Sequence, residues 1–345
     1  MGLKEDIRKF AKEIGMDAVG FAPAEPFLQE KEILQEKKAR GLLSPFEERE
    51  IDRRCYPDRL LPGARTIICF AMGYLIDPFE PEETLFQEKS PYEKSPKGKI
   101  SRYARVKDYH GIMGNKLNAV VKFISKIKEG RFKIFIDTGS LLDRAAARRA
   151  GIGWIGENTC LFTPELGSWV FLGEILTDIE IEPDEPAKDL CGHCGRCIRA
   201  CPTGALMAPF QINPYRCLSY ITQMRGSIPE EFRKPLGHRV FGCDTCQEAC
   251  PKNRGVRVPR HREFMPEMPV ETDLHKLVII TRNDFEKVFK DTAAGWRGRN
   301  VIRRNAACAL GNVGGEGSAK VLEELLNDPS EVVREQARWA LERLC

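Results

Sequence analysis

The first 180 residues alternate between two hydrophobic periodicities, one typical of helices and one typical of strands. Leu3, Ile7 and Phe10 recur at helical spacing, so an amphipathic helix is predicted at the start of the chain. The other segments with helical character are residues 26–38, 115–127 and 141–150. Continuous apolar runs of strand length occupy residues 18–22, 66–74, 132–136 and 168–176. Such alternation predicts an α/β or α+β layer domain.

A loop, a linker and an internal repeat organise the rest of the chain. Residues 77–98, rich in proline and charge, predict a long loop, and the acidic stretch 181–189 predicts a linker. The segments that begin at Val301 and Val332 match at five of ten positions, with alanine at packing positions. This pattern predicts HEAT-like repeats, although a simple helical hairpin would also satisfy it. The predicted domains of this α+β multidomain chain are residues 1–180, 181–262 and 263–345.

Cysteine is concentrated in the middle domain, which holds eight of the 13 cysteines of the chain. The first run spells C-x2-C-x2-C-x3-C-P, the pattern of bacterial ferredoxins that bind two clusters. Its members are Cys191, Cys194, Cys197 and Cys201. The second run is one cysteine short and contains Cys243, Cys246 and Cys250. Because Cys217 lies between the two runs, it is the natural eighth ligand, and a ferredoxin-like module with two [4Fe–4S] clusters is predicted.

The ferredoxin crossover assigns these eight cysteines to two sets of four. The first set is Cys191, Cys194, Cys197 and Cys250. The second set is Cys201, Cys217, Cys243 and Cys246. Zinc remains an alternative but favours separated Cys-x2-Cys pairs, and disulfides are disfavoured in a reducing compartment. The five other cysteines have no ligand spacing, and Cys69 and Cys308 are expected to be small core residues.

Charge and targeting signals narrow the possible function. Residues 215–262 carry ten basic and four acidic side chains, and residues 296–304 carry four arginines and no acid. Such patches suit RNA phosphates, although a solvated basic face remains the alternative. The N-terminus lacks the apolar core of a secretory signal, and the run 67–76 is too short to span a bilayer. A cytoplasmic protein without a membrane segment is therefore expected. An additional domain of this size favours an enzyme over a simple electron carrier.

Five segments, in order along the chain, resemble the epoxyqueuosine reductase family. They are residues 135–159, 191–206, 216–226, 242–253 and 296–306. The resemblance implies that the chain reduces the epoxide of epoxyqueuosine, at the first anticodon position of tRNA, to queuosine. It also implies cobalamin bound between the N-terminal domain and the ferredoxin-like module, and a HEAT-like domain that helps to hold the tRNA.

The resemblance implies roles for individual residues. Asp137 would be the general acid that protonates the oxygen released from the epoxide. The residues alone favour a different role for Asp137, as the N-cap of the following helix. The residues implied to line cobalamin are Arg54, Ser101, Asp137, Leu161, Leu172, Ser219, Cys243 and Asp244. Those implied to contact tRNA are Thr222, Gln223, Arg225, Lys234, Arg297, Arg299, Arg303 and Arg304.

Two details and two alternatives accompany this resemblance. Glu157 occupies a position where lysine is expected, and His110 is not expected to be an axial ligand of cobalt. The runner-up function is a corrinoid reductase of a small molecule, such as a dehalogenase, which would need neither basic patch. A non-catalytic electron-transfer protein is the other alternative. Besides tRNA, the expected partner is a low-potential electron donor, and the expected state is a monomer.

Overall fold

A computed structural model describes residues 2–75, 95–259, 261–265 and 268–344. Of the predicted loop 77–98, residues 77–94 lie outside the described residues, as does Cys345. The strands are β1 (Ala18–Pro23), β2 (Thr66–Gly73), β3 (Lys97–Ile100), β4 (Phe132–Phe135), β5 (Trp154–Ile155), β6 (Leu161–Phe162), β7 (Val170–Thr177), β8 (Leu206–Ala208), β9 (Gln211–Ile212), β10 (Arg239–Phe241) and β11 (Glu271–Asp273).

Helices flank and follow these strands. They are α1 (Leu3–Glu13), α2 (Leu28–Ala39), α3 (Ile51–Cys55), α4 (Tyr109–Ser125), α5 (Asp143–Arg149), α6 (Arg196–Ala200), α7 (Leu218–Gln223), α8 (Glu230–Leu236), α9 (Thr245–Glu248), α10 (Leu274–Ile279), α11 (Arg282–Phe289), α12 (Arg299–Val313), α13 (Ser318–Glu324) and α14 (Glu331–Leu344). The strands and helices predicted from periodicity in the first domain are therefore present, with ends shifted by a few residues.

The N-terminal domain is a three-layer structure built on one sheet. The sheet has the order β1-β2-β7-β4, and every neighbouring pair is antiparallel. Strand β2 is buried along its whole length because both faces of the sheet are covered. One face packs against α1 and α4, and the other packs against α2, α3 and α5. The predicted layer domain is thus confirmed, with antiparallel pairing that alternation alone does not specify.

A second sheet joins all three predicted domains. Strand β3 pairs in parallel with β10 of the cysteine-rich segment and antiparallel with β11 of the C-terminal segment. Gly98 permits this approach, because a Cβ atom there would lie 2.4 Å from Leu274 and 2.7 Å from Val240. Ile100 accordingly belongs to the core shared by the cysteine-rich and C-terminal segments. The domains are therefore interlocked rather than joined end to end.

The C-terminal segment is helical, as the internal repeat predicts. Helices α12 and α14, which carry the two copies of the repeat, pack against each other, with α13 between them in the chain. Gly311 lies so close to Ala340 that an added Cβ atom would be 2.7 Å from its Cα. Small residues at the repeat positions therefore allow the two helices to approach closely. In the described parts of the chain, no helix is both long and apolar enough to cross a membrane.

Arg304 ties the repeat helices to the cysteine-rich segment. Its side chain is fully buried in α12, and its guanidinium donates to the carbonyl oxygens of Ile221 and Met224, at the end of α7. The neighbouring Asn305 donates to the carbonyls of Thr222 and Val240 at 2.7 Å. Since α7 directly follows Cys217 and β10 directly precedes Cys243, these two side chains hold both segments in place.

Replacement of Arg304 by alanine is predicted to destabilise the protein by about 3 kcal/mol, because several buried carbonyls would lose a charged donor. Urea unfolding followed by circular dichroism measures this change. Arg338→Ala is the matched control, since Arg338 lies exposed on α14. An unchanged unfolding midpoint for Arg304→Ala, equal to that of the control, would contradict the structural role assigned to this guanidinium.

Candidate cluster cavities and active-site crevice

The first predicted set of cysteines borders one cavity. Cys191, Cys194, Cys197 and Cys250 all line the same cavity. The opposite wall comes from the N-terminal domain and consists of Trp154, Gly156, Glu157, Asn158 and Phe162. Among the described residues, no three His, Cys, Asp or Glu side chains converge closely enough to coordinate a single metal ion. Four thiols around a shared cavity fit the donor set of a [4Fe–4S] cluster.

Left-handed backbone conformations shape the loop that carries the first cysteines. Gly192, His193 and Gly195 have φ values of +73°, +48° and +64°. Glycine reaches this region without strain, so the spacing of the run is tied to a tight, curled loop. Helix α6 then carries Cys197, and Pro251 follows Cys250 at the start of a short turn. These local turns direct three neighbouring cysteines and the distant Cys250 towards the same cavity.

Glu157 closes this cavity from the N-terminal domain. Its carboxylate accepts a hydrogen bond of 2.9 Å from the backbone N–H of Gly195, and only 4% of the residue is exposed. Its own backbone N–H donates to the sulfur of Cys191 at 3.4 Å. A buried carboxylate thus lies beside the first set of cysteines, where the family resemblance leads us to expect a lysine.

The second set of cysteines also converges. Cys217 lies near Cys243 and Cys246, and Cys246 lies near Cys201. Cys160 also lies near Cys246, a proximity that ligand spacing does not reveal because Cys160 belongs to the N-terminal domain. The structure therefore brings together the members of each predicted set and adds a fifth thiol beside the second.

Asp137 follows β4 at a junction between the N-terminal domain and the cysteine-rich segment, called the crevice below, where Tyr103 lies near both Asp137 and Asp244. Its φ of +51° is unusual for a residue other than glycine and turns the chain sharply after the strand. The hydroxyl of Tyr109 donates a hydrogen bond to its carboxylate. Helix α5 begins only at Asp143, and its N-cap residue, Leu142, has no capping side chain. The N-cap interpretation of Asp137 is therefore wrong, and the carboxylate is available for chemistry.

Tyr103 lies at the centre of the same crevice, although the sequence did not single it out. Burial, together with the nearby Asp244 and Asp137, raises the pKa of its hydroxyl well above the ordinary value. The side-chain amide of Gln223 donates to the Tyr103 hydroxyl at 3.2 Å and to the carbonyl oxygen of Ser219 at 2.9 Å. Asp137, Asp244 and Ser219 therefore all lie near the side chain of Tyr103. Its position two residues after Ser101, a predicted cobalamin contact, is the signal that could have identified it.

Of the residues predicted to line cobalamin, Ser101, Ser219 and Asp244 lie with Asp137 around Tyr103. Gly242 approaches Ser101 so closely that a Cβ atom would lie 2.3 Å from the serine oxygen, which brings the two segments together. The backbone N–H of Arg102 donates to buried Asp244 at 2.9 Å. Leu161 is buried in β6, Leu172 is partly buried in β7, and Arg54 pairs with Glu47 at 2.8 Å. Hydroxyl and carboxyl groups beside leucines fit a large ligand with amide side chains and an apolar ring.

An exposed aromatic surface carries two of the predicted tRNA contacts. The guanidinium of Arg297 stacks 3.6 Å from the ring of Trp296 and 4.8 Å from the ring of Phe46. Trp296 is 54% exposed, and its indole N–H donates to Gln223 at 3.0 Å. Arg225 is a charged neighbour of Arg297. The sequence does not predict Phe46 at this surface, because Phe46 lies far from Trp296 in the chain and its own segment contains no recognisable RNA-binding motif.

Three predicted tRNA contacts are corrected by their burial. Arg303 bonds to the carbonyl of Val278 at 2.7 Å and pairs with Asp328, while Arg304 bonds to carbonyls at the end of α7. Thr222 is fully buried and accepts a hydrogen bond from the backbone N–H of Gly242. These side chains interact with the protein itself and are unavailable to RNA. By contrast, Arg225 and Lys234 are exposed and Arg299 is partly exposed.

Comparison with known proteins decides the family. The epoxyqueuosine reductase of Listeria monocytogenes is 41% identical over 345 residues, covering 99% of this chain and 89% of the relative. The chain belongs to the epoxyqueuosine reductase family. Residues 54–138 of this family member also match the model described as epoxyqueuosine reductase QueG, DUF1730.

Solved structures of epoxyqueuosine reductases share the whole fold. One, a crystal structure with an epoxyqueuosine-modified tRNA-Tyr stem loop, has a TM-score of 0.90 and 39% identity, covering 99% of this chain and 90% of that one. Another, from Bacillus subtilis with its catalytic aspartate loop swung out of the active site, has a TM-score of 0.89 and 38% identity, covering 99% and 90%. Family models for a 4Fe–4S double cluster domain and for HEAT repeats match residues 190–253 and 297–342, confirming the predicted cluster and repeat modules.

For this epoxyqueuosine reductase, Cys250→Ser is predicted to remove one cluster, because the first set would keep only three thiolates. Iron should fall from about eight to about four atoms per chain. Cys191→Ser should remove the same electron paramagnetic resonance signal, whereas Cys201→Ser should remove the other one.

Cys55→Ala is the control for this series, since Cys55 is a core residue of the N-terminal domain. It should retain full iron content and both signals. If Cys250→Ser removed the same signal as Cys201→Ser, the crossover between the two sets would be wrong.

Proposed function

We propose that this chain reduces the epoxide of epoxyqueuosine in tRNA to the alkene of queuosine. The conversion requires two electrons and two protons, and the epoxide oxygen leaves as water. The observation that carries the proposal is the carboxylate of Asp137, held by Tyr109 at the crevice between the N-terminal domain and the cluster-binding segment. An acid at this place, where Tyr103 also lies near Cys217 of the second set, suits a reduction that needs protons and electrons at one carbon–oxygen bond.

Asp137 would act as the general acid. As the first carbon–oxygen bond breaks, its carboxyl proton would pass to the epoxide oxygen and prevent the build-up of an alkoxide. Tyr109 would orient the carboxyl group through its hydrogen bond. The left-handed backbone at Asp137 supports this role, because backbone strain is concentrated at functional sites. The related structure whose catalytic aspartate loop is swung out of the active site supports a comparable movement of this segment.

The residues present fit cobalamin and two [4Fe–4S] clusters. Cys191, Cys194, Cys197 and Cys250 would hold one cluster, and the second set defined above would hold the other. Ser101, Ser219 and Asp244 would bind polar groups of cobalamin, with Leu161 and Leu172 against its ring. When bound, reduced cobalamin supplies a strongly reducing, nucleophilic cobalt centre. A low-potential electron donor is the second proposed partner.

The tRNA would bind across the aromatic and basic surface. Phe46 and Trp296 offer ring faces for unpaired bases, and Arg297 can pair with phosphate while it stacks on both rings. Arg225 and Lys234 would extend the positive charge along the anticodon loop. This surface favours RNA over the small-molecule substrate of a corrinoid dehalogenase, which would need no such platform.

The proposal extends to the cellular location and the oligomeric state of the protein. Action on tRNA supports a cytoplasmic location. All of the residues proposed to contact tRNA come from one chain, which supports a monomer. We retain 1–180, 181–262 and 263–345 as the sequence domains, with β3 crossing into the core of the second and third.

Asp137→Asn is predicted to abolish queuosine formation, because an amide cannot donate the required proton. The absorption spectra of the clusters and of cobalamin should remain unchanged. Mass spectrometry of nucleosides from treated tRNA measures the product. Asp291→Asn, at an exposed position, is the control and should turn over normally. Near-normal turnover by Asp137→Asn would refute the assignment of the acid.

Phe46→Ala is predicted to weaken binding of the anticodon stem loop about tenfold, since loss of one stacking partner removes about 1–3 kcal/mol. Arg225→Ala should instead reduce the slope of log affinity against log salt by about one. Fluorescence anisotropy at several salt concentrations measures both. Arg338→Ala serves as the control because Arg338 is an exposed residue of α14. Equal affinity of Phe46→Ala and the control would remove Phe46 from the interface.

A further inference from the structure

A row of three aromatic rings ends at the hydroxyl that holds Asp137. The rings of Tyr109 and Phe171 lie face to face, with centroids 4.0 Å apart and an angle of 8° between their planes. Phe264 meets the ring of Phe171 at 5.2 Å and 64°. All three side chains are buried and belong to the same hydrophobic core. The row therefore links the interior of the N-terminal domain to the proposed acid through Tyr109.

The three rings come from segments that are far apart in the chain. Tyr109 is the first residue of α4, Phe171 lies in β7, and Phe264 lies in a short turn that follows Cys250 in the chain. Because protein interiors are close-packed, a stacked pair at this distance leaves neither ring room to tilt. Phe171 therefore fixes the plane of the Tyr109 ring, and Phe264 supports Phe171 in turn.

Polar contacts fasten the turn that carries Phe264 to the N-terminal domain. Nε2 of His261 lies 2.6 Å from Oδ2 of Asp17, a carboxylate whose side chain is only 7% exposed. Glu263 pairs with Lys116 of α4 at 2.9 Å. The second contact joins this turn to the helix that carries the first ring of the row. The position of Phe264 is thus set by bonds to two separate elements of the domain.

Asp137 depends on this row because its own backbone conformation is unfavourable. Its φ of +51° lies in the left-handed region, which costs a residue other than glycine about 1–2 kcal/mol. In the described part of the chain, the hydroxyl of Tyr109 is the only side-chain group that hydrogen-bonds to the carboxylate. That bond uses Oδ2, so Oδ1 remains available to carry the transferable proton. The direction in which the acid points therefore follows the plane of the Tyr109 ring.

We propose that Phe171 and Phe264 are positioning residues, which hold Tyr109 in the plane that aims the carboxyl group of Asp137 at the epoxide oxygen. The inference rests on the proposed function. Both rings act through Tyr109, so no bond forms or breaks at them. Tyr109 keeps its own proton, because burial and the neighbouring Asp137 raise the pKa of its hydroxyl far above the ordinary value. A displacement of the acid by about 1 Å can lower the rate about 100-fold.

Phe171→Leu keeps a buried apolar side chain but removes the flat ring. It should lower the single-turnover rate of the reconstituted holoenzyme about tenfold at saturating epoxyqueuosine-containing tRNA, while the Kd for the anticodon stem loop stays within about twofold. Phe264→Leu should lower the same rate about threefold, because its ring contacts Tyr109 only through Phe171. Mass spectrometry of nucleosides measures the rate, and fluorescence anisotropy measures the Kd.

Phe123→Leu is the matched control for these variants. Phe123 lies in α4 and stacks on Phe10 at 4.4 Å and 4°, in the same core, but this pair includes no residue bonded to Asp137. The control removes a stacked ring of equal size from the same helix. It should keep the wild-type rate.

A double-mutant cycle tests whether Phe171 acts through Tyr109. Tyr109→Phe removes the hydroxyl and should lower the rate about 10- to 100-fold. Phe171→Leu added to Tyr109→Phe should lower it no further, because the ring would then have no hydroxyl to orient. If the two losses multiplied instead, Phe171 would act through general packing and the proposal would be overturned.

Hydrogen–deuterium exchange tests the same link without turnover. The peptide that spans residues 136–142 contains Asp137, and its exchange is measured in the holoenzyme without tRNA. Exchange should be about threefold faster or more in Phe171→Leu and in Tyr109→Phe, because both variants release this segment. Phe123→Leu should match the wild type.

The outcomes separate the two proposals. If the wild type formed no queuosine, the proposed function would fail, while exchange in residues 136–142 would still test the positioning. If the wild type were active and Phe171→Leu kept its rate and its exchange, the positioning role would be overturned and the proposed function would stand. An equal loss of rate in Phe123→Leu would also overturn the positioning role, by tracing the effect to packing of the core.

Discussion

The buried guanidinium of Arg304 is the interaction on which the arrangement of the domains depends. A charge without a carboxylate partner survives in the core only because backbone carbonyls surround it. Those carbonyls belong to the end of α7, which begins directly after Cys217. Asn305 extends the same network to β10, ahead of Cys243. The helical repeats are therefore part of the scaffold of the second set of cysteines as well as a platform for RNA.

This scaffold explains how the proposed proton donor, the cluster cysteines and the proposed RNA-binding surface can lie near one another. The second set of cysteines, the Asp137 loop and the aromatic surface come from different parts of the chain. Cys243 of the second set and Tyr103, which lies near Asp137, both pack against the core shared by β3, β10 and α12. Tyr103 and Gln223 illustrate the continuity, since a hydrogen bond of 3.2 Å links the crevice residue to the RNA-binding surface. A base held on that surface would thus be connected to the proton donor through few intervening groups.

The sequence predicts the local features well because their signals are local. Cysteine spacing identifies both cluster sets, and apolar runs identify the strands of the first sheet. It does not predict the antiparallel order of that sheet, since pairing depends on contacts between distant segments. The prediction that Arg304 contacts tRNA from the surface is wrong, because α12 is buried on nearly every side and its polar residues do not mark an exposed face.

The shared wall of the first cluster cavity bears on how the protein is made. Residues 154–162 form one side of that cavity and are synthesised before the cysteines that form the other. The N-terminal domain can therefore fold first and present Glu157 and its neighbours as a template when the cysteine loop leaves the ribosome. A ferredoxin module transplanted alone from this chain would lack that wall. The cavity for this cluster is therefore complete only when the N-terminal domain and the cysteine-rich segment are both folded.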